Sequence, residues 1–319
     1  MVNRNEIMEK NVFLQVYYVY CIMARGIDKI QYSFSGHESF PCKTLWLKKG
    51  YDFVKGEKNF SAPEAVVDLG VGKNMVASIR YWYKSFGLNK DTNTSWIADY
   101  IFNPEDGKDP FVEDLGTLWL LHFLLIYSQE ASLYQMFFVD FQKERRLFDR
   151  EQVVSFVKRK MKDAGKDNQY NENTVKKDVG VLLLNYCLPK DPKSNEDFST
   201  LLMDLDLLRQ TEKKDKTDDI DDKRNRFFFN IEGKRQVTPE IFLFALLMIK
   251  DESDNSLAYD TLQELGLIFC MTDLEVIDML NQLSESYSDS LSYSDVAGIR
   301  QLQFTKQMDA KQVLDWYYE

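Results

Sequence analysis

The chain has 319 residues, of which 44% are hydrophobic and 29% are charged, so it can build packed cores and is long enough for two or three modules. Its formal net charge of −11 excludes a general affinity for nucleic acid or for anionic membranes, so any contact with DNA must be local. The four cysteines have no paired spacing, which argues against a zinc ribbon or a disulfide framework and is typical of reduced thiols in the cytoplasm: Cys21, Cys42, Cys187 and Cys270.

The N-terminal extension, residues 1–31, contains one apolar run at residues 12–24. Thirteen residues are too few to cross a bilayer comfortably, and runs of this length also occur in signal peptides, strands and core helices. Met23 is an alternative start of the native protein, which leaves open whether residues 1–22 belong to it. We expect a cytoplasmic protein without membrane contact.

Residues 32–102 predict a basic winged-helix-like domain that contains a helix-turn-helix. Ser61 and Glu64 have the spacing of a capping box at the start of a short helix, and the Gly70-Val-Gly72 turn ends that helix. In the helix that follows, apolar residues recur every three or four positions, which places them on one face: Val76, Ile79, Tyr83 and Phe86. Two short helices joined by a tight turn are typical of a helix-turn-helix.

Packing that apolar face inward turns five residues of the second helix outward, as a recognition helix requires: Lys73, Asn74, Ala77, Tyr81 and Lys84. Residues 32–90 hold nine Lys or Arg against five Asp or Glu, an excess of four positive charges in an acidic chain. A basic island of this kind suits the phosphate backbone of double-stranded DNA, so we predict DNA binding at these five residues. The alternatives are a hairpin with a solvated basic face and a module that contacts only protein.

Residues 103–210 predict a helical middle domain. Its first helix should begin near Asp114 or Thr117 and be buried, because it is apolar nearly all round. Asp149 is placed to cap a later helix with a basic outer face, and residues 199–210 predict a further short helix. Residues 211–225 then form a charged linker with mixed signs.

Residues 226–319 predict a second winged-helix-like domain, similar to the one predicted at residues 32–102. Thr238 is placed to cap one helix, and Thr272 and Glu275 have the spacing of a capping box at the start of another. Residues 291–304 predict a hairpin. The predicted fold class is therefore mainly α, with two winged-helix-like units flanking a helical middle region.

The second winged-helix-like unit is acidic. Residues 251–299 carry eleven Asp or Glu and no Lys or Arg. Such a surface repels phosphate, so this unit is better suited to contact with protein or to internal packing.

Six residues are candidates for metal-dependent or acid–base chemistry: His37, Glu38, Asp109, Glu113, Asp114 and His122. A cluster of His, Asp and Glu can hold a metal ion or exchange protons with a substrate. The alternative is that His122 is a satisfied core group in an apolar helix and that the acids favour a helix N-terminus. Loops with the glycine spacing of a phosphate-binding or dinucleotide-binding motif are absent. We therefore assign no catalytic residue, no metal ligand and no cofactor.

Four stretches of the chain carry a family resemblance: SGHESFPCKTLWLKKGYD, AVVDLGVGKNMVASIRYW, DPFVEDLGTLWLLHFLL and AGIRQL. Together they resemble a bacterial family of unknown function, number four-thousand-and-seven in the domain-of-unknown-function series, over residues 32–302. The resemblance implies gene neighbours similar to phosphoadenosine-phosphosulfate-reductase-like sulfurtransferases, in loci for DNA sulfur modification and phage defence. It assigns no catalytic residue, although the six candidates lie within its motifs.

Three functional hypotheses follow from these patterns. The first is a non-catalytic DNA-binding accessory of a DNA-modification or phage-defence system, with double-stranded DNA and a protein of that system as partners. The second is a protein-only adaptor or scaffold for a phosphoadenosine-phosphosulfate-reductase-like enzyme. The third is a metal-dependent enzyme at the cluster around His37, Glu38 and His122.

Overall fold

The computed structural model describes residues 32–90, 93–189, 199–211, 225–231, 233–234, 236–296 and 298–319. The N-terminal extension and nearly all of the predicted linker at residues 211–225 lie outside the described residues. Among the helices within these ranges, none combines the length and apolar character that a membrane span needs.

The α-helices of the first part of the chain lie between residues 46 and 144, and a π-helical stretch at Met136–Phe141 joins the last two of them. In chain order they are α1 (Trp46–Lys55), α2 (Ala65–Leu69), α3 (Lys73–Ser85), α4 (Trp96–Phe102), α5 (Leu115–Tyr127), α6 (Ser132–Gln135) and α7 (Gln142–Glu144).

The rest of the chain, from residue 150 onward, also has 3-10 turns between its helices, at Asp167–Gln169 and Met203–Leu205. Its α-helices are α8 (Arg150–Asp163), α9 (Glu172–Tyr186), α10 (Pro239–Ile249), α11 (Tyr259–Ile268), α12 (Asp273–Ser286) and α13 (Ala310–Tyr318).

The strands form three antiparallel sheets in the described part of the chain. A two-stranded ribbon pairs β1 (Asn89–Lys90) with β2 (Asn93–Thr94). A three-stranded sheet has the order β3-β5-β4, from β3 (Leu147–Phe148), β4 (Leu208–Gln210) and β5 (Phe227–Phe229). A second three-stranded sheet has the order β6-β8-β7, from β6 (Ser256–Ala258), β7 (Leu291–Val296) and β8 (Ile299–Phe304).

The predicted fold class, mainly α with two winged-helix-like units, is wrong. The chain is a mixture of α-helices and β-sheets, and two of its sheets have three strands. In the sheet β3-β5-β4, Leu147 pairs with Phe228, and Arg209 pairs with the same residue from the other side. Such pairings join residues that are far apart in sequence, and helical periodicity does not reveal them. The predicted domain boundaries stay a prediction.

The sheet β3-β5-β4 forms because its strands bury phenylalanines against the π-helical stretch. The Phe229 ring lies 4.8 Å from that of Phe137 and 5.3 Å from that of Phe148. Aromatic residues fit a pleated, half-buried surface, and rings at these separations attract one another. Of the short helix predicted at residues 199–210, only a 3-10 turn at Met203–Leu205 is present, and Leu208 is buried in β4.

Helix α5 lies at the centre of the core and is buried from Gly116 to Ile126, as its all-round apolar sequence predicts. The C-terminal helix α13 closes over its first turn. There the Tyr317 hydroxyl donates to Asp114 Oδ1 at 2.7 Å, and the Tyr318 and Thr117 hydroxyls are 2.7 Å apart. The last helix of the chain is therefore fastened to the start of the central one.

Several local predictions are confirmed. Asp149 caps α8, Thr238 caps α10, and Thr272 forms a capping box with Glu275 at the start of α12. The predicted hairpin at residues 291–304 is the β7–β8 pair. The capping box predicted at residues 61–64 is wrong, because α2 begins only at Ala65 and has no side-chain cap.

His122 lies on α5 with no exposure to solvent. Its Nδ1 is 2.8 Å from the Tyr186 hydroxyl and its Nε2 is 2.7 Å from the carbonyl oxygen of Ile268. Both ring nitrogens are therefore satisfied, as the interpretation of His122 as a core group predicts. Burial lowers the pKa of His122 to about 4, from a usual value of 6.5.

This depressed pKa predicts a loss of stability in mild acid. Above pH 6.5 the imidazole is neutral in both the folded and the unfolded chain. Below pH 6.5 the unfolded chain binds a proton at His122, whereas the folded chain binds it only near pH 4. The free energy of unfolding should therefore fall by roughly 2 kcal/mol between pH 7 and pH 5 through this residue. Urea unfolding of wild type and His122→Gln at both pH values checks this. An equally steep pH dependence in the variant would contradict it.

Candidate nucleic-acid interface

Helix α3 carries four of the five predicted DNA-binding residues on its solvent-exposed face. Gly70 has a left-handed conformation (φ 64°) and ends α2, and Gly72 is the N-cap of α3. The apolar side of α3 is buried, from Val76 to Phe86. Four residues on the opposite side are exposed: Lys73, Asn74, Ala77 and Lys84.

Tyr81 is the exception, because its ring is packed into the protein. The ring centroid lies 5.7 Å from that of His37 and 5.0 Å from that of Trp82. Gly36 passes so close that a Cβ at that position would lie 2.6 Å from the Tyr81 ring. Burial raises the pKa of Tyr81 well above its usual value. Tyr81 therefore holds the segment before α1 in place and presents little of itself to a ligand.

Arg80 is an exposed cation on α3 that the predicted set leaves out. The spacing of residues 73, 77, 80 and 84 places Arg80 in the same row as Lys73 and Lys84, and this helical period is the signal that reveals it. Lys84 is 2.8 Å from Glu130 Oε2 and is partly neutralised. Neither Lys73 nor Arg80 forms an ion pair with any residue that the structure describes, so these two carry the unbalanced charge.

The segment at residues 35–39 has an unusual backbone beside this face. Ser35, Glu38 and Ser39 have φ values of 75°, 47° and 64°, in the left-handed region that non-glycine residues rarely adopt, and Gly36 has 103°. Residues held in such conformations cost free energy and cluster at functional sites. The surrounding structure must therefore hold this segment firmly.

A buried pair of His37 and Asp178 holds the segment. Asp178, on α9, accepts a hydrogen bond from His37 Nε2 at 2.9 Å and one from the Ser35 backbone N–H at 2.8 Å. The Ser39 backbone N–H donates to His37 Nδ1 at 3.0 Å, which places the ring proton on Nε2. The Ser78 hydroxyl of α3 donates to the His37 carbonyl oxygen at 3.0 Å. His37 thus joins α9 to α3, through its imidazole on one side and its carbonyl oxygen on the other, and both ring nitrogens are occupied.

Two other members of the predicted chemical cluster, Asp109 and Asp114, accept hydrogen bonds from backbone N–H groups. Asp109 accepts from the backbone N–H groups of Glu113 and Asp114, one on each carboxylate oxygen. Asp114 caps α5 by accepting from the Thr117 N–H. Across the described ranges, no three His, Cys, Asp or Glu side chains are grouped so that they could hold a metal ion. Glu38 is exposed, and His122 belongs to the core.

The described cysteines offer no reactive thiolate. Burial raises the pKa of Cys187 to about 12 and that of Cys270 to about 12, and it also raises that of Cys42. The thiolate is the nucleophilic form, so these groups stay protonated and inert near neutral pH.

Comparisons with known proteins agree with the family resemblance. A family model described as "Protein of unknown function (DUF4007)" matches residues 34–318. Two solved structures, described as "Magnesium ion-bound SspB crystal structure" and "SspB crystal structure", are similar to the chain. Each has a TM-score of 0.75 and 26% sequence identity, over 90% of this chain and 88% of that chain. A search of curated proteins found no match.

The buried pair predicts a specific loss of stability when Asp178 is changed. In Asp178→Asn, the amide NH₂ faces a hydrogen-bond donor, so one donor loses its acceptor and the free energy of unfolding should fall by about 1–3 kcal/mol. Asp52→Asn is the control, because Asp52 forms an exposed ion pair with Lys48 and should change stability by less than about 1 kcal/mol. Equal effects in urea unfolding would contradict a special role for the buried pair.

Proposed function

The chain belongs to the DUF4007 family, whose description assigns no activity, and we propose that it binds double-stranded DNA through α3 as a non-catalytic accessory protein. A role in a DNA-modification or phage-defence system is the part of this proposal that the family resemblance alone implies. The observation that supports DNA binding is the row of exposed cations on α3, of which Lys73 and Arg80 have no ion pair within the described residues.

The charge distribution makes this row distinctive. The whole chain has a net charge of −11, so its long-range field repels a polyanion. Binding then depends on cations that are exposed, close together and free of internal partners, because only these release counterions from DNA. Lys73 and Arg80 meet all three conditions on one face of α3, and Lys84 meets the first two.

The order of residues along α3 suggests different roles for its two ends. Lys73 and Asn74 lie in the first turn, and in helix-turn-helix proteins this end of the recognition helix enters the major groove. Asn can pair bidentately with adenine, and Lys can contact guanine. Arg80 and Lys84 lie two and three turns farther on, where phosphates are the natural targets. Beside the turn, Val67 is 82% exposed and offers an apolar contact for a thymine methyl group.

Magnesium has no place in this proposal, although one similar structure is described as magnesium-bound. Mg²⁺ takes oxygen ligands, usually one or two carboxylates together with water. In this chain the carboxylate oxygens of Asp109 already accept backbone N–H groups, and those of Asp178 accept from His37 and Ser35. The residues of the predicted cluster therefore do not fit a metal site, and no step of the proposed function passes through one.

A second candidate is the protein-only adaptor, which is favoured by the acidic surface at residues 251–299. This stretch has eleven Asp or Glu and no Lys or Arg. It also exposes apolar side chains, Leu274 at 67% and Val296 at 68%. A protein partner that covers these groups would bury apolar area, which favours association. Such a contact is compatible with DNA binding at α3, so the two candidates differ only in whether α3 is used.

Replacing the unpaired cations of α3 should abolish duplex binding. We expect Lys73→Glu/Arg80→Glu to lose affinity for every duplex at low ionic strength, because two phosphate contacts become repulsive. Asn74→Ala should keep most of the affinity and lose preference among sequences, by ~1–3 kcal/mol per discriminated base. Fluorescence anisotropy with a panel of duplexes, measured against salt, checks both expectations.

Lys84→Ala is the matched control for Arg80→Ala, because both remove one cation from the same helix. Arg80→Ala should lower the slope of log Kobs against log[salt] by about 1, whereas Lys84→Ala should lower it by less, since Lys84 already pairs with Glu130. Duplex binding that survives in the Lys73→Glu/Arg80→Glu variant would contradict the proposal. Absence of binding by the wild type at low salt would favour the adaptor.

A further inference from the structure

A second basic surface lies on α8 and α9, outside the predicted DNA-binding helix. Residues 143–177 contain eleven Lys or Arg against six Asp or Glu, an excess of five positive charges in a chain whose net charge is −11. This excess is larger than the four of residues 32–90. A concentration of one sign of charge repels itself, so it is retained where it serves a function more often than for stability.

Internal ion pairs neutralise only part of this surface. Four cations have acidic partners, in the pairs Lys143–Glu264, Arg159–Glu144, Lys160–Asp140 and Lys176–Glu172. Lys158 lies over the ring of Tyr170 at 5.7 Å. Three further lysines are exposed and form no ion pair within the described ranges: Lys162, Lys166 and Lys177. Their charges are open to an external anion.

The segment that precedes α1 contacts both α8 and α9 as well as α3. At its start, the Tyr32 hydroxyl donates to the carbonyl oxygen of Lys160 at 3.5 Å, near the end of α8 where Lys162 lies. In its middle, Asp178 of α9, the neighbour of Lys177, holds Ser35 and His37. The same His37 packs against Tyr81 of α3. Lys160, two positions before Lys162, and Asp178, next to Lys177, therefore both contact the segment that also touches α3.

We propose that Lys162, Lys166 and Lys177 form a second contact for the backbone of the same duplex, beside the one at α3. The proposal rests on the proposed function and extends its footprint across the segment at residues 32–40. Double-stranded DNA suits this surface, because it presents one negative charge per ≈ 1.7 Å of its axis and lysine binds phosphate as a point charge.

This second contact should add affinity without adding sequence preference. Lysines on phosphates position a protein and read no bases. The variant Lys162→Gln/Lys166→Gln/Lys177→Gln should therefore lower the slope of log Kobs against log[salt] by about 2–3 and weaken binding to all duplexes alike. The order of preference among duplexes should stay as in the wild type. Since all three side chains are exposed, thermal unfolding should be unchanged.

The matched control removes three lysines from other parts of the surface, as Lys108→Gln/Lys306→Gln/Lys311→Gln. These lysines already pair with Asp315 or Asp289, so the salt slope should change little. If the salt slope falls equally in the control variant, the slope depends only on the net charge of the protein. That result would overturn the second contact.

Failure of this inference and failure of the proposed function give different results. If the α3 variants lower the salt slope and the three-lysine variant does not, the second contact is wrong and binding at α3 stands. If only the three-lysine variant lowers the slope, these lysines bind DNA and the proposed role of α3 is wrong.

The acidic surface of a second copy of this chain is the competing occupant. Loss of salt-sensitive self-association in light scattering, with duplex binding unchanged, would overturn the inference in its favour.

Discussion

The hydrogen bond between His37 and Asp178 is the interaction on which the candidate surface depends. It joins residues 141 positions apart and is buried, so it is protected from competition by water. Through it, α9 fixes a segment with four left-handed residues, and that segment in turn packs on Tyr81 and Ser78 of α3. Without the pair, the strained backbone of residues 35–39 loses its two hydrogen bonds to α9, and only its contacts with α3 and within the segment remain.

Electrostatics sets the second constraint. A protein of net charge −11 can bind DNA only through local surfaces whose cations do not form ion pairs with its own acidic residues. Many basic residues of this chain fail that test, because they pair with nearby acids, as Lys84 does with Glu130 and Lys160 with Asp140. The distinction between paired and unpaired cations therefore matters more here than their number. It separates Arg80 and Lys73 from Lys84, and Lys162 from Lys160.

Local structure was predictable from the sequence where short-range chemistry decides it. The caps at Asp149 and Thr272 and the burial of α5 follow from residues within a few positions of each other. The sheet β3-β5-β4 was not, because its pairings link strands near residues 147, 208 and 227. The exposed face of α3 followed from helical period, whereas the burial of Tyr81 depends on Gly36 and His37, more than forty positions away. The sequence likewise does not predict Asp178 as the partner of His37, because the two residues are 141 positions apart.

Hydrogen exchange of the protein with and without a saturating duplex tests the central claim most directly. The account predicts slower exchange of backbone N–H groups in two places, the segment at residues 35–39 and the first turns of α3, because DNA would cover both and the His37–Asp178 pair couples them. Exchange across residues 251–299 should not change, because phosphate avoids that acidic surface. Protection confined to residues 251–299, with none at α3, would contradict the account.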